Sequence, residues 1–294
     1  MQDVENKIYQ WMKSNARSLE RAFYEYLFHQ KSKENVISEL LKFQTESGGF
    51  ASGLEPDSLN PNPSPIQSWA ALFYIENLKL NSDHPIIQKL LNYFESHRDE
   101  DGFFAALIPS NNDYPHAIWW HYSQENKIWG YNPSVAIWSF IYIHRQSERI
   151  KNSMIKALED FIASPSQEMH ELSCFVEAYE RLYPLKEEFL SFEEFERVLR
   201  NTIDQLLEKS KSEEGYKATP MTFCHHPESQ MSQYLEASLK SQVKEIVTDI
   251  KEKEIWDIHF HWQQYEVEFQ QAKIHWQGIQ AIKNMMFIIK YRPS

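Results

Sequence analysis

The sequence predicts an all-α protein of repeated helix pairs, closed as an α/α toroid of about five to six pairs. Apolar residues at helical spacing run through nearly the whole chain. A turn motif recurs: LLKFQTESGGF at 40–50 returns as LLNYFESHRDEDGFF at 90–104 and, weaker, as LLEKSKSEEGY at 206–216. Glycine is scarce, at 7 residues, which leaves little for the tight turns of a β protein.

The elements follow in order. Residues 3–29 place Val4, Ile8, Trp11, Met12, Leu19, Phe23, Tyr26 and Leu27 mostly three or four apart, which predicts one amphipathic N-terminal helix. Asn35 is placed to cap the next helix, which QTESGGF ends. The loop 51–65 is rich in Pro, Asn and Ser, and a helix starts near Pro65. The marker glycines are Gly49, Gly102 and Gly215, separated by 53 and 113 residues. The second gap is close to twice the first, so a further unit is expected between, ending at LEDFIASPS (158–166) and pairing with HELSCFVEAYERLY (170–183). The last pair falls at 239–254 and 272–290. First members, such as HPIIQKLLNYFESHR, are charged and suit the outside. Second members, such as PSVAIWSFIYIHR, are apolar on most sides and suit the inside. The chain ends in an inner-type helix, which favours ring closure over an open solenoid and a single domain over 1–294.

Composition excludes several function classes. The net charge of −12 disfavours a nucleic-acid surface. Two distant cysteines, Cys174 and Cys224, give neither a disulfide framework nor a Cys-rich metal site, and suit a reducing cytoplasm. No secretory signal and no membrane-spanning run is visible, and there is no GxGxxG or GxxxxGK[ST] loop. No cofactor or metal is expected.

Chemistry concentrates in a few stretches. GLEPDSLNPNPSP (53–65) carries Glu55 and Asp57 on a long loop before an inner helix; two carboxylates at this spacing can act as acid and base. NNDYPHAIWWHYSQENKIWGYNPS (111–134) holds His116, a possible proton shuttle, with Trp119, Trp120 and Tyr131, whose faces can stabilise cationic, apolar or sugar ligands. TPMTFCHHPES (219–229) adds His225 and Glu228. IWDIHFHWQQYEVEF (255–269) alternates, so that Trp262 shares the side opposite His259 and His261; Trp276 opens the last inner helix. Three of these loops precede inner helices at one phase of the repeat. Asp57, His116, Trp119, Trp120, His225 and Glu228 are therefore expected at one mouth of the ring, lining a ligand pocket.

The Q-x-x-x-G-G-F unit at 44–50 resembles the repeat of terpenoid cyclases and protein prenyltransferase β subunits. The strings GGFASGLEPDS, PHAIWW, YNPSVAI, ATPMTFCHHPES and HWQGIQAI resemble an uncharacterised bacterial branch of that toroid superfamily. The resemblance implies an aromatic-lined cavity for a small, partly apolar, isoprenoid-like ligand and, if the protein is an enzyme, a lyase, isomerase or transferase. Departures are plain. The DxDD acid motif of the cyclases is absent, as is the Asp-x-Cys zinc motif of the prenyltransferases. A carbohydrate-active helical barrel with paired carboxylates and sugar-stacking aromatics, or a non-catalytic scaffold, are the alternatives.

Overall fold

The computed structural model describes residues 2–292. All regular structure among them is helical, with isolated bridges as the extended pairings and no β-strand. The helices are α1 (Gln2–Asn15), α2 (Ser18–His29), α3 (Lys33–Leu41), α4 (Pro65–Ala70), α5 (Leu72–Asn77), α6 (Pro85–Ser96), α7 (Tyr131–Arg145), α8 (Glu148–Ala163), α9 (Met169–Leu182), α10 (Phe192–Ser210), α11 (Gln230–Tyr234), α12 (Glu236–Glu252) and α13 (Glu266–Lys290). They form two compact units. The first runs to Ser96 and adds Leu107–Lys127 and the chain from Lys240 on; the second comprises His97–Ala106 and Ile128–Leu239. Among the described residues no helix is long and apolar enough to cross a membrane.

In the first unit α13 packs against α1 and α2, and α2 against α3. The apolar stripe of α1, Val4, Ile8, Trp11 and Met12, is buried as its spacing requires. In the second unit α7 packs on α8 and α9, and α10 on the same two helices. Asn132 through Tyr142 of α7 are all buried, as expected of an inner helix. The outer-type α10 buries only a stripe that includes Phe195, Leu199, Ile203 and Leu206.

Two boundaries differ from the sequence expectation. The N-terminal helix is broken in two at Arg17, whose backbone turns extended (ψ 158°). The break frees the guanidinium to reach the carbonyls of Gly53 and Leu54. The cap of α3 is Ser32, not Asn35: its hydroxyl accepts the Glu34 N–H.

The first two copies of the turn share one bonding pattern, with the register moved by one residue. Gln44 bridges Phe50, and Arg98 bridges Phe104, an offset of 54 residues. Within the turns, Thr45 N–H bonds Gly49 O and Gly48 N–H bonds Thr45 O, while Asp99 N–H bonds Phe103 O and Gly102 N–H bonds Asp99 O. Each Phe N–H then donates to a serine hydroxyl of a following helix, Ser68 or Ser134. Gly48, not Gly49, is thus the partner of Gly102, with φ of 93° and 96°. Gly49 is small for another reason: a Cβ there would come within 2.5 Å of the Tyr93 ring.

Gly48→Ala is expected to lower stability by well over 1 kcal/mol. It combines a left-handed backbone with a Cβ placed 2.3 Å from Lys89 O. Gly215→Ala meets the same backbone penalty at φ 80° with nothing within 4 Å, so its loss in urea denaturation should be clearly smaller. Equal losses would contradict this reading.

Candidate active site

The loop 51–60 is unusual for an irregular segment in being buried almost throughout. Buried backbone needs partners, and they come from side chains. Gln67 of α4, 1 % exposed, accepts the Glu55 N–H at 2.9 Å through its amide oxygen. Its amide nitrogen donates to Glu55 O at 3.1 Å and Ser58 O at 2.9 Å. Ala117 N–H donates to Asp57 O at 2.8 Å, Leu59 N–H donates to Pro115 O at 2.9 Å, and Ser58 bridges His116. This fixes the 111–120 segment beside the acidic loop.

At the break before α2, Arg17 donates to Gly53 O at 2.5 Å and Leu54 O at 3.2 Å. Its remaining donors grip Glu20 bidentately, at 2.6 and 2.7 Å. Glu20 is wholly buried and also accepts the Tyr74 hydroxyl at 2.6 Å. An Arg–Glu–Tyr lock inside the unit therefore holds the backbone just before Glu55.

The Asp57 carboxylate sits in an aromatic shell. Its Oδ1 accepts the indole N–H groups of Trp262 and Trp276, each at 2.7 Å. The Trp119 indole also hydrogen-bonds this carboxylate. Burial pushes Asp57 from the ordinary 3.8 up to about 6, against the pull of these indole bonds. Glu55 lies alongside, its Oε2 accepting the Asp57 N–H at 3.0 Å. Burial first, and then the Asp57 charge, hold Glu55 well above the usual carboxylate range, while the Asp57 N–H and the Arg17 charge pull downward. The two carboxyls thus stand side by side, and burial raises both above the ordinary carboxylate range.

The structure brings together Glu55, Asp57, Trp119, Trp262 and Trp276 of the sequence-derived candidates. It turns the His116 side chain elsewhere: Nδ1 meets Tyr114 O at 2.6 Å and Nε2 meets His121 Nδ1 at 3.3 Å. Its chain neighbours Pro115 and Ala117 pair through backbone with Leu59 and Asp57. Trp120 is buried, its carbonyl accepting the Asn111 side chain at 3.1 Å. Tyr131, His225 and Glu228 belong to the second unit. Tyr131 donates to Asp160 at 2.5 Å and packs on Trp138 and Phe175. His225 meets the Ser173 hydroxyl at 3.3 Å, and Glu228 is exposed. Burial pushes the nearby Cys224 thiol up to about 12. Among the described residues no group of three or more His, Cys, Asp or Glu is placed to hold a metal ion. A groove of about 590 Å³ in the second unit is lined by charged side chains that are already paired, Arg200 with Glu196 and Tyr234 with Asp204.

Arg17, Glu20, Gln67 and Tyr74 escape sequence reasoning. His275 neighbours Trp276 on α13, and burial, then the Arg17 charge, pull it down to about 4. Asp57 and His275 give opposite pH dependences. With its folded pKa raised, Asp57 binds more protons folded than unfolded between about pH 4 and 6, so its contribution falls as pH rises there. His275 is held neutral in the folded state, so its contribution is present above pH 6.5 and lost as pH falls toward about 4. Asp57→Asn should therefore make stability rise more steeply with pH across this window, and His275→Gln should make it fall. Urea midpoints for the three proteins across this range measure the slopes; three equal slopes would contradict the assignment.

No protein-family model matches the chain, and neither a curated protein nor a solved structure shows detectable similarity to it.

Proposed function

We propose that the first unit carries an acid site in which Asp57, backed by Glu55, donates a proton to a small, partly apolar ligand of the isoprenoid class. The observation that carries the reading is the double indole contact on Asp57 Oδ1 inside a buried aromatic shell. With Oδ1 engaged by donors, the acidic proton resides on Oδ2. Proton transfer breaks the Oδ2–H bond and forms a C–H bond from an alkene electron pair; loss of a proton from a neighbouring carbon then restores the acid. Indole faces stabilise the intermediate positive charge. The reaction class is an isomerase or lyase. The α/α-toroid architecture is part of the same proposal, supported by the turn that repeats with an offset of 54 residues.

The sugar alternative is less well supported. Glycosidase acids face one another across a substrate, roughly 5–9.5 Å apart. Here Glu55 and Asp57 lie side by side on one loop, tied by a 3.0 Å bond from the backbone of one to the carboxylate of the other. A purely structural reading has one observation in its favour: Asp57 ties together segments 205 and 219 residues apart.

Incubation in D2O at mildly acidic pH with geraniol, farnesol, geranylgeraniol or squalene, and separately with xylo- and gluco-oligosaccharides, tests the three. Deuterium entering a prenyl carbon, and lost in Asp57→Asn, is the expected result. Hydrolysis of an oligosaccharide would favour the sugar alternative, and no turnover of any of these the structural one.

A further inference from the structure

Between Trp119 and Trp276, both of which bond Asp57, stands the ring of Phe260. Its centroid is 5.7 Å from Trp119 at an interplanar angle of 79°, and 6.0 Å from Trp276 at 87°. Phe260 is thus edge-on or face-on to both indoles at once, and its ring fills the slot between them. We propose that this slot is a binding site for a flat, uncharged, unsaturated hydrocarbon group about the size of a phenyl ring, and that Phe260 is its resident occupant, displaced when the ligand enters. The inference rests on the acid-site reading and adds to it the shape of the group that reaches Asp57.

The segment that carries Phe260 suits displacement. Residues 253–265 connect α12 to α13 without regular structure. Trp256 and Trp262 anchor the segment, at 3 % and 0 % exposure, while His259 and His261 on either side of Phe260 are exposed. Phe260 itself is only half-buried. Gln263 and Tyr265 hold positive φ, 63° and 51°, a conformation that costs non-glycine residues energy and places two adjustable joints just after it. The slot opens at the surface: its occupant Phe260 is half-buried, and Trp119, one of its walls, is 36 % exposed. The ring that fills the slot is hydrocarbon, and Asp57 Oδ1 is already satisfied by indole donors, so the slot selects an apolar group. A prenyl end and an aryl ring share this chemistry.

The test is ligand displacement and needs no turnover. With 4-fluorophenylalanine placed at position 260, the fluorine resonance is followed while farnesol is added in one arm and 2-phenylethanol in another. In parallel, the affinity of Phe260→Ala for each alcohol is read from tryptophan fluorescence. The resonance should move to a solvent-like position with at least one alcohol, and Phe260→Ala should bind that alcohol about tenfold tighter, because removing a resident competitor raises the competent fraction. The arm that responds identifies the source of the group. A fluorine resonance unmoved by both alcohols overturns the proposal, and the fluorine arm remains decisive if Phe260→Ala fails to fold. Displacement without any proton transfer would sink the acid reading and leave the slot standing; proton transfer with an unmoved Phe260 would do the reverse.

Discussion

Arg17→Ala is expected to destabilise the protein by about 3–5 kcal/mol. The Arg17 side chain is 11 % exposed and that of Glu20 is 0 % exposed, so alanine strands a carboxylate with no cation beside it. It also removes the donors to Gly53 O and Leu54 O, freeing the backbone that leads to Glu55. Lysine cannot serve, because a single ammonium cannot reproduce the bidentate grip and reach two carbonyls in the same geometry. The diagnostic comparison is the double variant Arg17→Met with Glu20→Leu. Removing both charges avoids the stranded carboxylate, so the pair should cost less than Arg17→Ala alone. Urea denaturation measures both. A loss under about 1 kcal/mol for Arg17→Ala would show that the lock is a surface-like ion pair.

The second large effect is on chemistry. Asp57→Asn should reduce proton transfer to the ligand by about 10²–10⁴-fold while leaving the fold nearly intact. The amide oxygen of Asn can still accept both indole bonds, so the cross-chain clamp survives. Asp57→Ala is different: it leaves the N–H groups of Trp262 and Trp276 without an acceptor, at about 1–3 kcal/mol for each stranded donor. Deuterium exchange into the substrate for Asn, and melting temperature for both, separate the roles. A full loss of stability in Asn would mean that the ionised carboxylate itself holds the unit together, and would favour the structural reading over the acid one.

How much of this could be read in the sequence follows from which interactions are local. The turns at 44–50 and 98–104 were legible because a helix end, a glycine and a Phe lie within a few residues of one another. The register error between Gly48 and Gly49 arose because two adjacent glycines answer different demands, one for positive φ and one for room beside Tyr93. Glu55 and Asp57 were legible as carboxylates on a long loop, and the tryptophans as aromatics at loop ends. The lock was not. Arg17 lies inside a helical pattern, where an arginine ordinarily faces water, and nothing local marks the break except the small polar run SNARS. Gln67 and Tyr74 sit on helices whose spacing accounts for them without any partner. Their roles come from contacts across 9 to 54 residues for Gln67 and Tyr74, which only the folded chain supplies.

The central claim is that Asp57 is a buried, indole-held acid. Labelling aspartate side chains with ¹³C and following the Asp57 carboxyl signal with pH, assigned by its absence in Asp57→Asn, tests it most directly. The Trp262 and Trp276 indole N–H resonances should shift in the same transition. The account predicts a midpoint near 6. A midpoint at the ordinary 3.8, with the indole resonances unmoved, would contradict it.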